Sequence, residues 1–341
     1  MVKNKIKISY LKHKNIKNFV SFIKNNHSKN HIFVKSLKVL NWFYKQKSKL
    51  NFVVASKKNT ILGAQGFIPL NKFDLNLDNS VFLAYWRVKP SKDIGVGFKI
   101  FKFLSKGKDF LGVVGIDERL IEYHKWQGFK TGRLNHHFFI NKNFKRPKII
   151  NIKPRKIKFI NKKIFIHEIS FITFKRLIKS SLFKHQYPKK SKTYILNRYL
   201  KNPFYDYKVF LVKNKNRHVL FVIRLIEVKN TRIIKLIDFI GSEENISFCG
   251  PFFENILNKF YAEYLDFYSY GIKEKYLINA GFKNRYNKKI IIPDHFEPFE
   301  NKNIDINFAF KFKSEKIKKK YFKKVRFCKG DGDMDRPSKI N

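Results

Sequence analysis

The sequence is poor in cysteine, and it has no long uninterrupted apolar segment. Its two cysteines among 341 residues, Cys249 and Cys328, are too few for a disulfide framework or a cysteine zinc site. No stretch approaches the ~20 uncharged apolar residues that a membrane span needs. Residues 1–10 are basic but carry their charges at alternate positions, unlike a signal peptide. We therefore expect a cytoplasmic protein without a transmembrane segment, and leave peripheral contact with a membrane surface open.

Acidic residues are also scarce. The chain has 25 Asp and Glu against 74 Lys and Arg, a formal net charge of +49. Such a charge attracts polyanions, for example nucleic acid, an anionic membrane surface or phosphorylated metabolites. Lysine, asparagine, isoleucine, phenylalanine and tyrosine are, however, frequent in predicted strands and loops alike, which is typical of a proteome-wide composition bias. A nucleic-acid partner stays open but is not favoured.

What the chain does have is an internal duplication. The segments 123–130 and 276–283 share the pattern Tyr-x4-Gly-Phe-Lys. The same offset aligns 81–86 with 234–239 upstream, and it aligns Gly97 with Gly250. With 43% hydrophobic residues, a chain of this length can bury the cores of two domains. We predict two copies of one domain.

Each copy shows the same order of predicted elements: helix, hairpin, strand, loop, helix, strand, helix, strand. In the first copy these are a helix over 32–44, a hairpin turning at 57–59, strands over 81–88 and 110–116, helices over 98–104 and 118–126, and a final strand over 134–140. Gly128 is expected to end the helix over 118–126 in the left-handed conformation. The predicted boundaries are a first lobe over 1–145, a linker over 146–158, a second lobe over 159–310 and a basic tail over 311–341.

A glycine-containing loop follows the strand over 81–88 and opens a helix. Its residues Gly95 and Gly97 would let a phosphate group approach backbone N–H groups at the positive end of the helix dipole. Lys92 and Lys99 add positive charge on either side. Alone, Gly-x-Gly also fits an ordinary turn.

Together with the downstream helix, strand and Tyr-x4-Gly-Phe pattern, this loop resembles the GNAT superfamily of acyl-CoA-dependent N-acetyltransferases. The resemblance covers 52–140 and, in degenerate form, 209–292. It implies an α/β fold of two tandem lobes, each a mixed β-sheet flanked by helices. In that family the pyrophosphate loop begins with Arg or Gln, where this chain has Lys92.

The resemblance also implies acetyl-CoA as co-substrate, without a metal ion. Its implied binding residues lie at the strand end and in the loop: Trp86, Arg87, Val88, Lys92, Ile94, Gly95, Val96, Gly97, Phe98 and Lys99. In the second copy Phe248 replaces the first glycine, and Glu243 and Glu244 would repel a pyrophosphate. We therefore predict that only the first lobe binds the cofactor.

For catalysis, the resemblance implies that an acceptor amine attacks the thioester directly, with the strand over 86–88 placing the thioester carbonyl. The family often has a tyrosine four residues before the Gly-Phe glycine, where it protonates the leaving thiolate. His124 occupies that position here, and Tyr123 precedes it. Either could be the acid; Tyr123 is slightly favoured, although a packing role for its ring stays open. The base remains unassigned among Glu122, Asp117, Asp93 and a bound water.

The tail contains an acidic cluster, Asp331, Asp333 and Asp335. It lacks the glycine and glutamate positions of a calcium loop. Two interpretations stay open: the carboxylates form ion pairs with basic surfaces, or they orient a sugar or amine acceptor.

The sequence thus predicts an acetyl-CoA-dependent N-acetyltransferase with a small-molecule acceptor amine, expected to be a nucleotide-linked amino sugar of bacterial surface polysaccharide synthesis. One alternative is a Fem-type transferase, which takes its amino acid from charged tRNA. The other is a non-catalytic protein in which both lobes are degenerate and which binds a carbohydrate or nucleic acid.

Overall fold

A computed structural model describes residues 5–90, 93–150, 152, 159, 163–287 and 290–339. Its strands are β1 (Lys7–Lys12), β2 (Lys45–Gln46), β3 (Lys49–Lys57), β4 (Thr60–Pro69), β5 (Ser80–Val88), β6 (Phe110–Ile116), β7 (Lys130–Arg133), β8 (Asn135–Ile140), β9 (Phe165–Glu168), β10 (Tyr207–Asn214), β11 (Arg217–Val228), β12 (Thr231–Gly241), β13 (Tyr264–Tyr270), β14 (Lys283–Asn284), β15 (Asn307–Phe312) and β16 (Phe327–Cys328).

The α-helices are α1 (Ile16–Asn26), α2 (Ile32–Lys35), α3 (Leu37–Tyr44), α4 (Val96–Ser105), α5 (Ile121–Trp126), α6 (Phe171–Leu177), α7 (Lys192–Ile195), α8 (Gly250–Lys259), α9 (Glu274–Asn279) and α10 (Glu315–Tyr321). The predicted helix over 32–44 is divided, because Ser36 adopts an extended backbone and caps α3 by accepting the Val39 N–H at 3.2 Å. Among the described residues, no helix is both long and apolar enough to cross a membrane.

The first lobe is formed by the described parts of Met1–Thr131, Phe308–Lys318 and Gly332–Asn341. Its sheet has the strand order β1-β3-β4-β5-β6-β15-β7, with β2 beside β3. Alternate residues of β5 point to opposite faces of the sheet: Val81 and Leu83 pack against Ile100 of α4 in a buried apolar core. The lobe therefore has α4 on one face of β5, and the side chain of Phe82 points to the other face.

The second lobe is formed by the described parts of Gly132–Asn307 and Lys319–Asp331. Its sheet has the strand order β14-β8-β13-β12-β11-β10-β9, with β16 beside β13. An aromatic core that includes Phe221 and Phe253 packs α8 against the sheet; these two rings lie 5.2 Å apart, edge to face.

The predicted duplication and fold class are confirmed. Both lobes contain antiparallel strands followed by one parallel pair that encloses a helix: β5 and β6 enclose α4, and β12 and β13 enclose α8. The short helix after each pair ends at a left-handed glycine, Gly128 with φ 77° and Gly281 with φ 98°.

The two lobes divide the chain differently from the predicted boundaries. The strand expected to close the first lobe, β8, pairs instead with β13 of the second sheet, from Asn135 opposite Ser269 to Ile140 opposite Tyr264. In turn β15, from the end of the predicted second lobe, lies in the first sheet. The alternation of apolar residues marks a strand but does not say which sheet accepts it, because both sheets offer a buried neighbouring strand.

Candidate active site

The central feature of the first lobe is a parallel strand pair that separates. Strands β5 and β6 pair only from Ser80 opposite Phe110 to Leu83 opposite Val113, although β5 continues to Val88. Burial follows the separation: residues 80–83 of β5 are buried, whereas 84–86 are half-buried. We name the gap between 84–88 of β5 and 114–116 of β6 the slot.

A β-bulge marks the point where the strands separate. On the β4 side of β5, Gly66 lies opposite Ala84 and Gln65 opposite Trp86, so that Tyr85 is the extra residue. Such a bulge increases local twist and bends a strand away from its partner. The second lobe has a corresponding β-bulge, in which Ile237 is the extra residue of β12 in its pairing with β11.

Helix α4 begins beside the slot. The Lys99 N–H donates to the Gly95 carbonyl oxygen at 3.0 Å, so that the backbone N–H groups of 96–98 precede the first bond within the helix. Gly95 is left-handed at φ 75°, and Ile94 is 91% exposed. A Cβ on Gly97 would lie 3.1 Å from Cζ2 of Trp86, which explains a small residue there. Lys92 lies outside the described residues.

Three polar atoms at the slot are buried without a hydrogen-bond partner among the described residues: Tyr85 Oη, Trp86 Nε1 and Tyr123 Oη. Buried polar groups are rarely left unpaired in a folded protein, so water or a ligand in the slot would supply partners for these three atoms. Together with the open N-terminus of α4, these atoms fit a ligand that has a phosphate end and a polar arm, as coenzyme A has.

The two candidate acids have different surroundings. His124 is buried; its Nδ1–H donates to the Leu120 carbonyl oxygen at 2.8 Å, and burial lowers its pKa. It is therefore a neutral imidazole whose Nε2 accepts rather than donates. The ring of Tyr123 lies 5.1 Å from that of Trp86, and burial raises the pKa of its hydroxyl. Of these two candidate acids, only Tyr123 has a proton that is not already donated to a neighbouring group among the described residues.

Other predicted residues surround the slot without entering it. Arg87 is exposed, and its Nε donates to the Asn26 carbonyl oxygen at the end of α1. Val88 packs beside Gly63 of β4. Phe98 is 41% exposed, with its ring tilted against that of Trp126, and Lys99 is exposed.

Each carboxylate considered as a base is already in an ion pair. Glu122 pairs with Lys125 at 2.7 Å, Asp117 with Arg119 at 2.6 Å, and Asp93 with Lys57 at 3.3 Å. Because all three carboxylates are paired, none of them is singled out as the base.

In the second lobe the corresponding slot is filled by the chain itself. Strand β16 pairs with β13 where β12 has left it, with Cys328 opposite Ser269. Two residues on, the Gly330 N–H donates to the Ile237 carbonyl oxygen of β12 at 2.8 Å. The tail therefore bonds to both separated strands and occupies the position that the slot has in the first lobe.

The start of α8 is also covered. A Cβ on Gly250 would lie 2.3 Å from the ring of Phe159, so that this ring rests on the first turn of the helix. Glu243 lies in the short 3-10 helix that replaces the glycine loop, and its Oε2 accepts the Lys273 N–H at 2.8 Å. Both groups lie where the first lobe has its open helix start; that the second lobe binds no acetyl-CoA stays a prediction.

The three tail aspartates lie in different surroundings. Asp331 is fully buried in the second lobe, with Oδ1 2.9 Å from Lys190 Nζ. Asp335 is buried in the first lobe at 3% exposure. Asp333 alone is partly open, with a side chain that is 13% exposed. A substrate role is therefore kept as a proposal for Asp333 only.

The structure adds a group that the sequence did not reveal. His27 and His31, from the end of α1 and the cap of α2, lie with their ring centroids 5.5 Å from that of Tyr85. Burial lowers the pKa of His31 to about 3, assisted by the positive charge of Arg336. Both imidazoles thus border the slot from the side opposite α4. In the described part of the chain, no three His, Cys, Asp or Glu side chains are grouped to hold a metal ion.

His31 predicts a pH dependence of stability. Its folded pKa of about 3 is lower than its ordinary value of 6.5, so the unfolded chain binds a proton between these values and the folded chain does not. The free energy of unfolding is therefore expected to fall as the pH drops below 6.5. In His31→Asn the asparagine side chain can still cap α2 by accepting the Phe33 N–H. The variant should take up fewer protons than wild type on unfolding at pH 5, by up to about one proton per chain. Urea unfolding midpoints of the wild type and of His31→Asn at pH 7.5 and 5 test this. If the midpoint falls equally in both proteins between the two pH values, the prediction is wrong.

No protein-family model matches the sequence. The Ribosomal operon-associated A protein of Euglena longa is 26% identical over 276 residues, which cover 76% of this chain and 49% of that protein. The chain thus spans about half the length of this curated relative.

Solved structures resemble almost the whole chain. A GCN5-related N-acetyltransferase from Anabaena variabilis has a TM-score of 0.56 at 10% identity, covering 90% of this chain and 73% of that one. Another, from Kribbella flavida, has a TM-score of 0.51 at 8% identity, covering 91% and 72%. At such identity the likeness shows the fold alone: the chain consists of two tandem lobes with the fold seen in GCN5-related N-acetyltransferases.

Proposed function

We propose that the chain is an acetyl-CoA-dependent N-acetyltransferase with one cofactor site, in the first lobe. The observation that carries the proposal is the separation of β5 from β6 at the Tyr85 bulge, next to the open N-terminus of α4. An acyl-CoA has a pyrophosphate that suits the helix start and an amide-containing arm that suits an exposed strand edge. The filled slot of the second lobe supports a single site.

The proposed roles follow from position. The N–H groups at the start of α4 bind the pyrophosphate, and the edge of β5 after Tyr85 holds the arm. The nitrogen of the neutral acceptor amine forms a bond to the acetyl carbon, and the carbon–sulfur bond breaks. The nitrogen releases one proton to water, the Tyr123 hydroxyl gives its proton to the thiolate, and the tyrosinate regains a proton from water, so that N-acetylated product and coenzyme A result. Positioning and polarisation supply most of the rate enhancement.

The acceptor is proposed to be a primary amine, with amino sugars, free and nucleotide-linked, as the first class to test. Aromatic and imidazole rings border the slot opposite α4, among them Tyr85 and His31, and flat apolar rings of this kind suit a sugar face.

Acetyl transfer tests the proposal directly. Purified protein is incubated with acetyl-CoA and a panel of amino sugars, polyamines and amino acids, while thiol release and the mass of each amine are recorded. We expect at least one amine to gain an acetyl group at a rate proportional to enzyme concentration. Thiol release no faster than in buffer for every amine, together with no binding of acetyl-CoA, would refute the proposal.

A further inference from the structure

The C-terminal segment 332–336 crosses the separated strands of the first lobe. A Cβ on Gly332 would lie 3.5 Å from Cβ of Phe82, on β5. On β6, a Cβ on Gly115 would lie 2.2 Å from Sδ of Met334, so that the methionine side chain packs directly against the Gly115 backbone. Asp333, between Gly332 and Met334, therefore lies near the point where the two strands separate.

Asp333 has one satisfied oxygen and one open oxygen. Its Oδ2 accepts from Tyr44 Oη at 2.7 Å and from Arg336 Nε at 3.0 Å. No donor among the described residues contacts Oδ1. The two bonds to Oδ2 fix the orientation of the carboxylate, and the partly exposed side chain leaves Oδ1 available to a ligand.

Asp333 and the proposed cofactor residues approach the slot from opposite faces. Val81 and Leu83 point toward α4, whereas Phe82, which Gly332 covers, points the other way. Asp333 is bonded to Tyr44 of α3, on the Phe82 side. Direct transfer requires this arrangement, since the acceptor must reach the acetyl carbon from a side that the coenzyme does not occupy.

We infer that Asp333 binds the acceptor as its ammonium ion, which then loses one proton to water and attacks as the neutral amine; an amine that is protonated at neutral pH is thus the substrate class. The inference rests on the proposed function, because it places the amine beside the acyl-CoA slot. Two cations, Arg336 and Arg87, lie near this site, and each has an oxygen partner: Asp333 Oδ2 for Arg336 and the Asn26 carbonyl oxygen for Arg87. The imidazoles of His27 and His31 and the ring of Tyr85 add no positive charge in their neutral forms and offer π faces. Arg336 is already engaged by Oδ2.

The test needs no knowledge of the natural acceptor. Two non-reactive thioethers, S-ethyl-CoA and S-(2-aminoethyl)-CoA, differ only by an ammonium group at the acetyl end. We expect the wild-type protein to bind the aminoethyl compound at least about fivefold more tightly by calorimetry. Asp333→Asn should bind both equally, while Asp206→Asn, an exposed aspartate of the second lobe, should keep the full preference.

Each other outcome overturns the inference. Equal binding of the two compounds by wild type would remove the amine site and leave the cofactor site intact. A preference that persists in Asp333→Asn would assign it to another group. Binding of neither compound would refute the proposed function, and the inference with it. If Asp333→Asn fails to fold, the wild type still decides, because its preference must disappear when the pH exceeds the pKa of the aminoethyl group.

Discussion

Replacing Lys190 by methionine is expected to lower the free energy of unfolding by about 3–5 kcal/mol. Its Nζ lies 2.7 Å from Asp238 and 2.9 Å from Asp331, and all three side chains are at most 3% exposed. Burial opposes the lysine charge, but the two carboxylates outweigh burial and raise the pKa of Lys190. Methionine fills similar space without charge, so that both carboxylates would remain buried and uncompensated.

Chemical denaturation measures this loss, and two further variants interpret it. Lys184→Met changes an exposed lysine of the same region and should stay within about 0.5 kcal/mol of wild type. Adding Asp331→Asn to Lys190→Met should cost less than the two separate losses combined, because the groups belong to one network. If the free energy of unfolding of Lys190→Met lies within about 1 kcal/mol of the wild-type value, the two buried carboxylates do not depend on the lysine charge, and the prediction is wrong.

The second large effect is expected at Tyr123. Of the two candidate acids, Tyr123 and His124, only Tyr123 has a proton free to donate, and Tyr123→Phe removes it. The kcat should therefore fall by about 100-fold or more. The KM for acetyl-CoA should change little, because the ring that packs against Trp86 is kept. Steady-state rates of thiol release with the best acceptor of the panel measure both constants.

His124→Asn is the matched control for the Tyr123 prediction. An asparagine amide can still donate to the Leu120 carbonyl oxygen, so the helix should keep its local bond while the imidazole is lost. We expect its kcat to stay within a few-fold of wild type. A large loss in His124→Asn with full activity in Tyr123→Phe would reverse the assignment.

Local sequence patterns predict much of the fold. The glycine loop, the helix that it opens and the glycines that end α5 and α9 depend on residues close in sequence, so composition and spacing revealed them. The exchange of β8 and β15 between sheets depends on which strand edge each segment meets, and nothing local specifies that partner.

The tail shows the same limit at the site. Asp331, Asp333 and Asp335 look equivalent in the sequence, at alternate positions of one acidic cluster. Their different surroundings arise from contacts with distant residues, Lys190 for Asp331 and Tyr44 for Asp333. His27 and His31 belong to no sequence motif. Their position beside the slot is seen only in the structure, where both rings lie next to Tyr85 of the bulged strand.

The most direct test of one acyl-CoA site in the first lobe is calorimetric titration with acetyl-CoA of wild type, Ile94→Glu and Ile94→Gln. Ile94 is 91% exposed, so neither change should disturb the fold, but only glutamate adds a negative charge where the pyrophosphate is proposed to bind. The account predicts one site per chain, at least about tenfold weaker binding in Ile94→Glu, and binding within about twofold of wild type in Ile94→Gln. Absence of binding, two sites per chain, or equal affinity in both variants would contradict it.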